Sequence, residues 1–201
     1  MLRTRHFFIL FLLVALLLPS LCFAGQNGSG NMGHTVIGQP WWRHKPGECF
    51  EGETGPLRIV QVGNLVVAAP AEDWFEDPIP PELAHPDRKY FLLERETGCY
   101  FSIAQAECDP DLTARALFKQ MVDEGSDLLP QLITTPSGVR AVYTVGLNVP
   151  AHSFTLFDGK GSVYVVEHVY TARAYDTIVN IGDVIHARSE DITRWLYLIE
   201  E

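Results

Sequence analysis

Two blocks of strand-like sequence most constrain the fold of this chain. In each block, β-branched and aromatic residues alternate with other side chains, a period of two that is typical of β-strands. Short glycine-containing loops between such runs indicate hairpins. The first block therefore predicts two strands separated by Gly63, Leu57–Val62 and Asn64–Ala69, followed by a hairpin of Lys89–Glu94 with Cys99–Ala106.

The second block predicts three more antiparallel strands. They cover Val139–Val149, His152–Asp158 and Ser162–Tyr170. The segment Asp158-Gly-Lys-Gly161 has the residues of a tight turn between the last two strands.

A helix is predicted between the two blocks. Asp109 is a suitable N-cap residue, and Pro110 suits the first helical position, where its missing N–H costs no hydrogen bond. Leu117 and Met121 lie on one apolar face, and Gly125 is a typical residue just past a helix end.

The last part of the chain predicts a long C-terminal helix over Ala172–Glu200. Its isoleucines recur every seven residues and share a face that can pack on a sheet; Gly182 or the segment around Ser189 could divide the helix. The order of elements predicts an α+β fold: a largely antiparallel sheet covered by helices, resembling an αβα sandwich. We assign it to a single domain over residues 49–201.

The first 24 residues have the layout of a secretory signal peptide. Arg3 and Arg5 precede an unbroken apolar run from Phe7 to Leu18, and small residues lead to a cleavage position before Gly25. Twelve apolar residues are too few to span a bilayer as a helix, so no membrane span is expected after cleavage. This predicts an exported protein, periplasmic or extracellular. Lipidation of Cys22 is the minor alternative.

Residues 25–48 form a leader that is rich in glycine and polar residues and contains a tryptophan pair. Trp41 and Trp42 are followed by the cationic Arg43, a combination that could contact a protein partner. The same tryptophans could instead clamp the leader onto the domain, because tryptophan side chains are usually buried. The sequence leaves both interpretations open.

Three cysteines follow the signal peptide, and an oxidising compartment allows one disulfide. Cys99 and Cys108 flank a predicted strand about 30 Å long, which is too far for them to pair with each other. We therefore expect Cys49 to pair with one of them, with a preference for Cys99. A buried, unpaired thiol is the alternative.

The sequence predicts no catalytic, metal or cofactor site. It contains no Gly-x-Ser-x-Gly, no Cys-x-x-Cys and no His-x-x-x-His pattern. The histidines are expected at the surface, and Glu167 and His168, adjacent in a strand, should point to opposite faces of the sheet. A formal net charge of −10 opposes binding to nucleic acid or to an anionic membrane.

The element order, with Pro70 to Trp74 after the first strands and Tyr175-Asp-Thr-Ile178 in the terminal helix, resembles the PsbP-like αβα-sandwich superfamily over residues 57–200. Members of that superfamily are mostly non-catalytic accessory proteins of larger complexes. The resemblance implies a non-catalytic accessory role, and together with the signal-peptide pattern it predicts an exported protein of the cell envelope that binds a protein partner. The alternative is a small-ligand-binding protein or an enzyme with a pocket between sheet and helices.

Overall fold

The computed structural model describes residues 45–76, 78–146 and 151–199, except for the side chain of Glu82. Within these ranges the chain forms eleven β-strands, three α-helices and one short 3₁₀ helix (Pro81–Leu83). The strands are β1 (Cys49–Gly52), β2 (Gly55–Val62), β3 (Leu65–Pro70), β4 (Trp74–Phe75), β5 (Arg88–Glu94), β6 (Tyr100–Glu107), β7 (Leu128–Thr134), β8 (Arg140–Gly146), β9 (Ala151–Phe157), β10 (Ser162–Val169) and β11 (Tyr197–Leu198). The helices are α1 (Ala114–Asp123), α2 (Ala172–Thr177) and α3 (Ile181–Arg194).

The predicted signal peptide and most of the predicted leader lie outside the described residues, and so do Cys22, Trp41, Trp42 and Arg43. Within the described ranges, none of the helices is long and apolar enough to cross a membrane.

A seven-stranded antiparallel sheet is the centre of the fold, with strand order β4-β5-β6-β10-β9-β8-β7. The predicted hairpin between β5 and β6 and the predicted turn between β9 and β10 are both present. A second antiparallel sheet has the order β1-β2-β3-β11 and contains the first two predicted strands, which pair as β2 and β3. The predicted α+β class with a largely antiparallel sheet is therefore confirmed.

The main core lies between the two sheets and helices α2 and α3. It includes Val62 and Val67 from the small sheet, Phe101 and Phe154 from the large sheet, and Ile192 from α3. The turn between β2 and β3 also contacts the large sheet, because the backbone N–H of Asn64 donates to Tyr164 Oη at 3.1 Å.

The opposite face of the large sheet is covered by α1 and by the segment around the 3₁₀ helix. Leu117 and Met121 of α1 pack against Val142 of β8. Ile79 and Leu83 pack against a second cluster that is centred on Phe91, Tyr100 and Val169. Helices therefore lie on both faces of the large sheet, which is the expected sandwich arrangement.

The start of α1 differs from the prediction. The Asp109 carboxylate accepts the N–H of Asp111 at 2.9 Å and forms a separate turn. The N-cap is Thr113, whose hydroxyl accepts the N–H of Ala116 at 3.2 Å. The helix begins at Ala114 because the turn at Asp109 already uses that aspartate and places Pro110 outside the helix.

Strand β7 was not expected, and the C-terminal helix is shorter than predicted. Pro130 lies within β7, which is tolerated because β7 is an edge strand of the large sheet. The C-terminal region divides at Ile178–Asn180, where Asn180 has a left-handed φ of 57°, and not at Gly182 or Ser189, which lie inside α3. After α3 the chain forms β11, which completes the small sheet.

The predicted disulfide between Cys49 and Cys99 is not formed. Cys49 is an exposed free thiol on edge strand β1 of the small sheet, whereas Cys99 is a free thiol that is 1% exposed in the main core. Cys108, the other candidate partner, is a half-buried free thiol. The prediction was wrong because sequence spacing excluded one pairing but could not position Cys49 relative to the core.

Candidate functional site

Two histidines are buried side by side on the inner face of the large sheet. His152 in β9 and His168 in β10 are partners in the antiparallel register, and each is 1% exposed. Their ring centroids are 5.3 Å apart. The expectation of surface histidines was therefore wrong for this pair, which lies beneath α3.

The hydrogen bonds of His168 define its protonation. Arg188 of α3 donates from Nη1 to His168 Nε2 at 3.3 Å. A guanidinium can only donate, so Nε2 is the acceptor and the proton of the neutral ring is on Nδ1. Nδ1 is 3.4 Å from Tyr170 Oη, so His168 donates to the tyrosine oxygen.

The same reasoning extends through the second histidine. Because the Tyr170 hydroxyl oxygen accepts from His168, its own proton is donated to His152 Nε2, 3.5 Å away. His152 then carries its proton on Nδ1 and donates to Ser189 Oγ at 3.2 Å. Ser189 in turn donates to the backbone carbonyl of Ile185 at 2.8 Å. The result is a hydrogen-bond chain with one direction, from Arg188 through four buried side chains to the backbone of α3.

Burial sets the charge state of both rings. Desolvation, with a contribution from the Arg188 charge, lowers the pKa of His152 to about 3. The pKa of His168 is also well below its ordinary value, first through burial and then through the charges of Arg188 and His152. Burial likewise raises the pKa of Tyr170 above its ordinary value. These groups are therefore neutral at neutral pH, as the hydrogen-bond chain requires.

Aromatic contacts enclose the chain. The His168 and Tyr170 rings are stacked with centroids 4.4 Å apart, and Trp74 meets His168 edge-on at 5.1 Å. Tyr143 donates to Ser189 Oγ, 3.2 Å away, and packs against Phe154. The serine oxygen thus accepts two hydrogen bonds and donates one, which uses all of its capacity.

This arrangement does not have the chemistry of a serine nucleophile. Ser189 is 8% exposed and its proton is directed to the carbonyl of Ile185, not to His152. The two nitrogens of His152 are engaged by Tyr170 and Ser189, and no carboxylate of the described residues orients the ring. The cluster holds α3 against the sheet and does not activate Ser189.

A narrow cleft lies beside this cluster, between the small sheet, β10 and α3. Apolar side chains form much of its wall, and His168, Arg188 and Asp191 contribute polar groups; the lining residues are Thr54, Leu57, Ala68, Pro70, His168, Arg188, Asp191 and Ile192.

Asp191 joins the β1–β2 turn to α3 at this cleft. Its carboxylate accepts from the backbone N–H of Glu53 at 3.0 Å and from the N–H and hydroxyl of Thr54 at 3.2 and 3.1 Å. Burial raises the pKa of Asp191, and the hydrogen bonds from Glu53 and Thr54 oppose that rise. Arg194, one turn further along α3, forms an ion pair with Glu53 at 2.7 Å.

Glu167 and His168 point to opposite faces of the sheet, as predicted. The Glu167 carboxylate accepts from Arg88 at 3.1 Å and from Ser102 at 3.2 Å, on the face away from His168. Burial raises its pKa, although Arg88 and Ser102 act in the opposite direction.

No group of three or more histidine, cysteine or acidic side chains suited to a metal ion occurs among the described residues. His186 is exposed on α3 with 68% of its side chain accessible, next to Glu190 at 3.5 Å. The predicted partner-contact residues Trp41, Trp42 and Arg43 lie outside the described ranges, so the structure does not bring them to this site.

Comparison with known proteins finds no matching family model and no matching curated protein. Among solved structures, the chain is similar to the solution structure of cyanobacterial PsbP (CyanoP) from Synechocystis sp., with 12% sequence identity and a TM-score of 0.41. The match covers 71% of this chain and 92% of that chain. The fold assignment itself comes from the strand order and registers given above.

The alternation of the strands contains a signal that could have located the buried histidines. His152 is in phase with Phe154 and Leu156, and His168 is in phase with Tyr164 and Val166. All of these side chains lie on the inner face of the large sheet. Strand phase therefore predicts burial better here than the general surface preference of histidine.

Proposed function

We propose that this chain is an exported, non-catalytic accessory protein that binds a protein partner in the cell envelope, in the periplasm or outside the cell. The signal-peptide pattern of residues 1–24 supports export. The closed hydrogen-bond chain around the two buried histidines supports a non-catalytic role.

The observation that carries the proposal is that each polar side chain in that hydrogen-bond chain already has its partners within the protein. Ser189, His152, Tyr170 and His168 donate and accept within the fold. All four side chains are at most 8% exposed and already have partners within the fold, so none of them is free to act on a substrate. Because such buried networks rigidify a fold when fully satisfied, we assign this cluster to stability.

Partner contact is proposed for Trp41, Trp42 and Arg43. Large aromatic side chains beside a cation are typical of protein interfaces. In a pull-down from the native envelope, the double variant W41A/W42A should lose the partner that the unaltered chain retains. The matched control V122S/L129S changes two exposed apolar residues elsewhere on the domain and should retain it. Equal capture by W41A/W42A would contradict this assignment.

Export is tested separately by mass spectrometry of the protein from its native source. We expect an N-terminus at Gly25. A lipid-modified Cys22 as the first residue would show a membrane-tethered protein, and an intact Met1 would contradict cleavage.

The alternative of a small-ligand-binding protein or an enzyme with a pocket between sheet and helices gains no support from the cleft beside α3, because its volume of about 10 Å³ holds about one water molecule.

A further inference from the structure

We infer that α3 is an acid-labile element of the fold: uptake of a proton by the buried pair His152 and His168 releases this helix from the large sheet while the strands of both sheets stay paired. The release is a change of conformation within the chain and needs no ligand or partner. It would uncover the inner face of the large sheet, on which both rings lie.

Helix α3 is attached to the rest of the fold largely through polar side chains. Three of its residues are buried, and two of these, Ser189 and Asp191, are polar, while Ile192 is apolar. The other apolar residues of the helix are half-buried or exposed. Ser189 and Arg188 make hydrogen bonds to the histidine pair. Because elements with few buried apolar side chains open at a lower free energy than the core, we expect α3 to open before the large sheet.

The position of α3 in the chain allows such a local opening. The helix contributes no strand to either sheet. The residues that follow it are held by contacts that do not involve the histidines. Ser137 donates to the backbone carbonyl of Leu196 at 2.7 Å, and β11 pairs with β3 of the small sheet. Release of α3 therefore breaks side-chain contacts but no strand pairing.

A proton on either ring turns an attractive contact into an unfavourable one. His168 Nε2 accepts from Arg188 at 3.3 Å, so a proton on Nε2 places two donors and two positive charges against each other. A proton on His152 Nε2 removes the acceptor of the Tyr170 hydroxyl, which Arg188 also contacts. The ring centroids are 5.3 Å apart, so a charge on one ring also opposes a charge on the other. Water solvates these charges once α3 has left the sheet, so protonation favours the open form.

The charged groups around the rings do not compensate for a proton. Glu167 of β10 points to the opposite face of the sheet. Asp191 of α3 lines the same cleft as His168, but its carboxylate accepts from the turn between β1 and β2. Glu190 of α3 pairs with the exposed His186. The other side chains that face the rings and Tyr170 are aromatic groups, a hydroxyl and a thiol: Trp74 of β4, Cys99 before β6, Phe101 of β6, Tyr143 of β8, Phe154 of β9 and Ser189 of α3.

The test is amide hydrogen exchange of the protein, followed residue by residue by NMR at pH 7.5 and pH 4.5. Each rate is compared with the intrinsic rate of an unfolded chain at the same pH, which gives a protection factor. The α3 amides should be less protected than the β6 amides at both pH values. On acidification, α3 protection should fall about a hundredfold more in the unaltered chain than in H152N, since pH 4.5 is two pH units below the ordinary histidine pKa of about 6.5.

Subtracting the result for H152N also cancels the contribution of Asp191. Its raised pKa means that its protonation in acid favours the closed form in both proteins. The matched control H186N changes an exposed histidine of the same helix and should behave as the unaltered chain does.

Two outcomes would overturn the inference. Equal protection of α3 and β6 amides at both pH values would show that the helix opens only together with the whole fold. An equal fall in α3 protection in H152N and in the unaltered chain would show that protonation of His152 does not drive the opening. If H152N does not fold, the unaltered chain and H186N still decide, because α3 protection that is the same at both pH values would overturn the inference.

Discussion

The buried histidines predict how the stability of the protein depends on pH. An unfolded histidine takes up a proton below about pH 6.5, whereas the folded state holds the pKa of His152 at about 3. The unfolded state therefore binds more protons as the pH falls, and the stability that neutral His152 provides is present above about pH 6.5 and is lost below it. At pH 4.5 this loss amounts to about 2.7 kcal/mol, which corresponds to two pKa units.

Two buried carboxylates act in the opposite direction. The pKa values of Glu167 and Asp191 are raised in the folded state, so protonation of these groups favours folding in acid. The pH dependence of the unfolding free energy of the unaltered chain therefore combines the contributions of the histidines and of the two carboxylates. The carboxylate contribution is common to the unaltered chain and to a variant without His152, so it cancels when the two unfolding free energies are subtracted.

The experiment measures the free energy of unfolding by urea denaturation of the unaltered chain and H152N from pH 7.5 to pH 4.5. The variant is less stable near neutral pH, because Asn cannot make both hydrogen bonds of His152. On acidification the gap between the two should shrink by about 2.7 kcal/mol, since only the unaltered chain loses the contribution of this ring. H186N changes the exposed histidine on α3, and its free energy of unfolding should depend on pH as that of the unaltered chain does. A constant difference in unfolding free energy between H152N and the unaltered chain from pH 7.5 to pH 4.5 would refute the neutral, buried state of His152.

Four further substitutions test the hydrogen bonds beneath α3 and at the start of α1. Y170F removes the hydroxyl between the two histidine rings and should lower the free energy of unfolding by about 2 kcal/mol in urea denaturation, because two buried ring nitrogens lose a partner; an unchanged midpoint would contradict the hydrogen-bond chain. D191N should speed hydrogen exchange at the Thr54 amide relative to amides in β6, because one carboxylate oxygen becomes a donor; unchanged protection would show that the aspartate does not hold this turn. T113A should lower the free energy of unfolding by about 1 kcal/mol, and D109A should lower it by less, because Thr113 is the N-cap of α1. A larger loss for D109A than for T113A would contradict this N-cap.

The sequence predicted the strands because their pattern is local. Alternation and glycine-containing turns placed β2, β3, β5, β6, β9 and β10 close to their observed positions. Strand β7 was missed because Pro130 argues against a strand unless it lies at an edge, and edge position depends on the whole sheet. The C-terminal residues were predicted as helix because the isoleucine period continues past Arg194, where pairing with β3 instead forms β11.

The site could not be predicted from sequence motifs, because its residues meet only through tertiary structure. His152 and His168 are sixteen positions apart and become neighbours through the register of β9 and β10. Arg188 and Ser189 join them from α3. Strand phase could indicate that the histidines face inward, but the identity of their partners depends on how the helix packs on the sheet.

The most direct test of the central claim is the protonation state of the two buried rings, measured by ¹⁵N NMR of the histidine side chains at pH 6. The closed hydrogen-bond chain predicts that His152 and His168 are both neutral, with the proton on Nδ1 and Nε2 unprotonated. A charged imidazolium at either position, or a proton on Nε2, would contradict the chain from Arg188 to Ile185 and the non-catalytic role assigned to it.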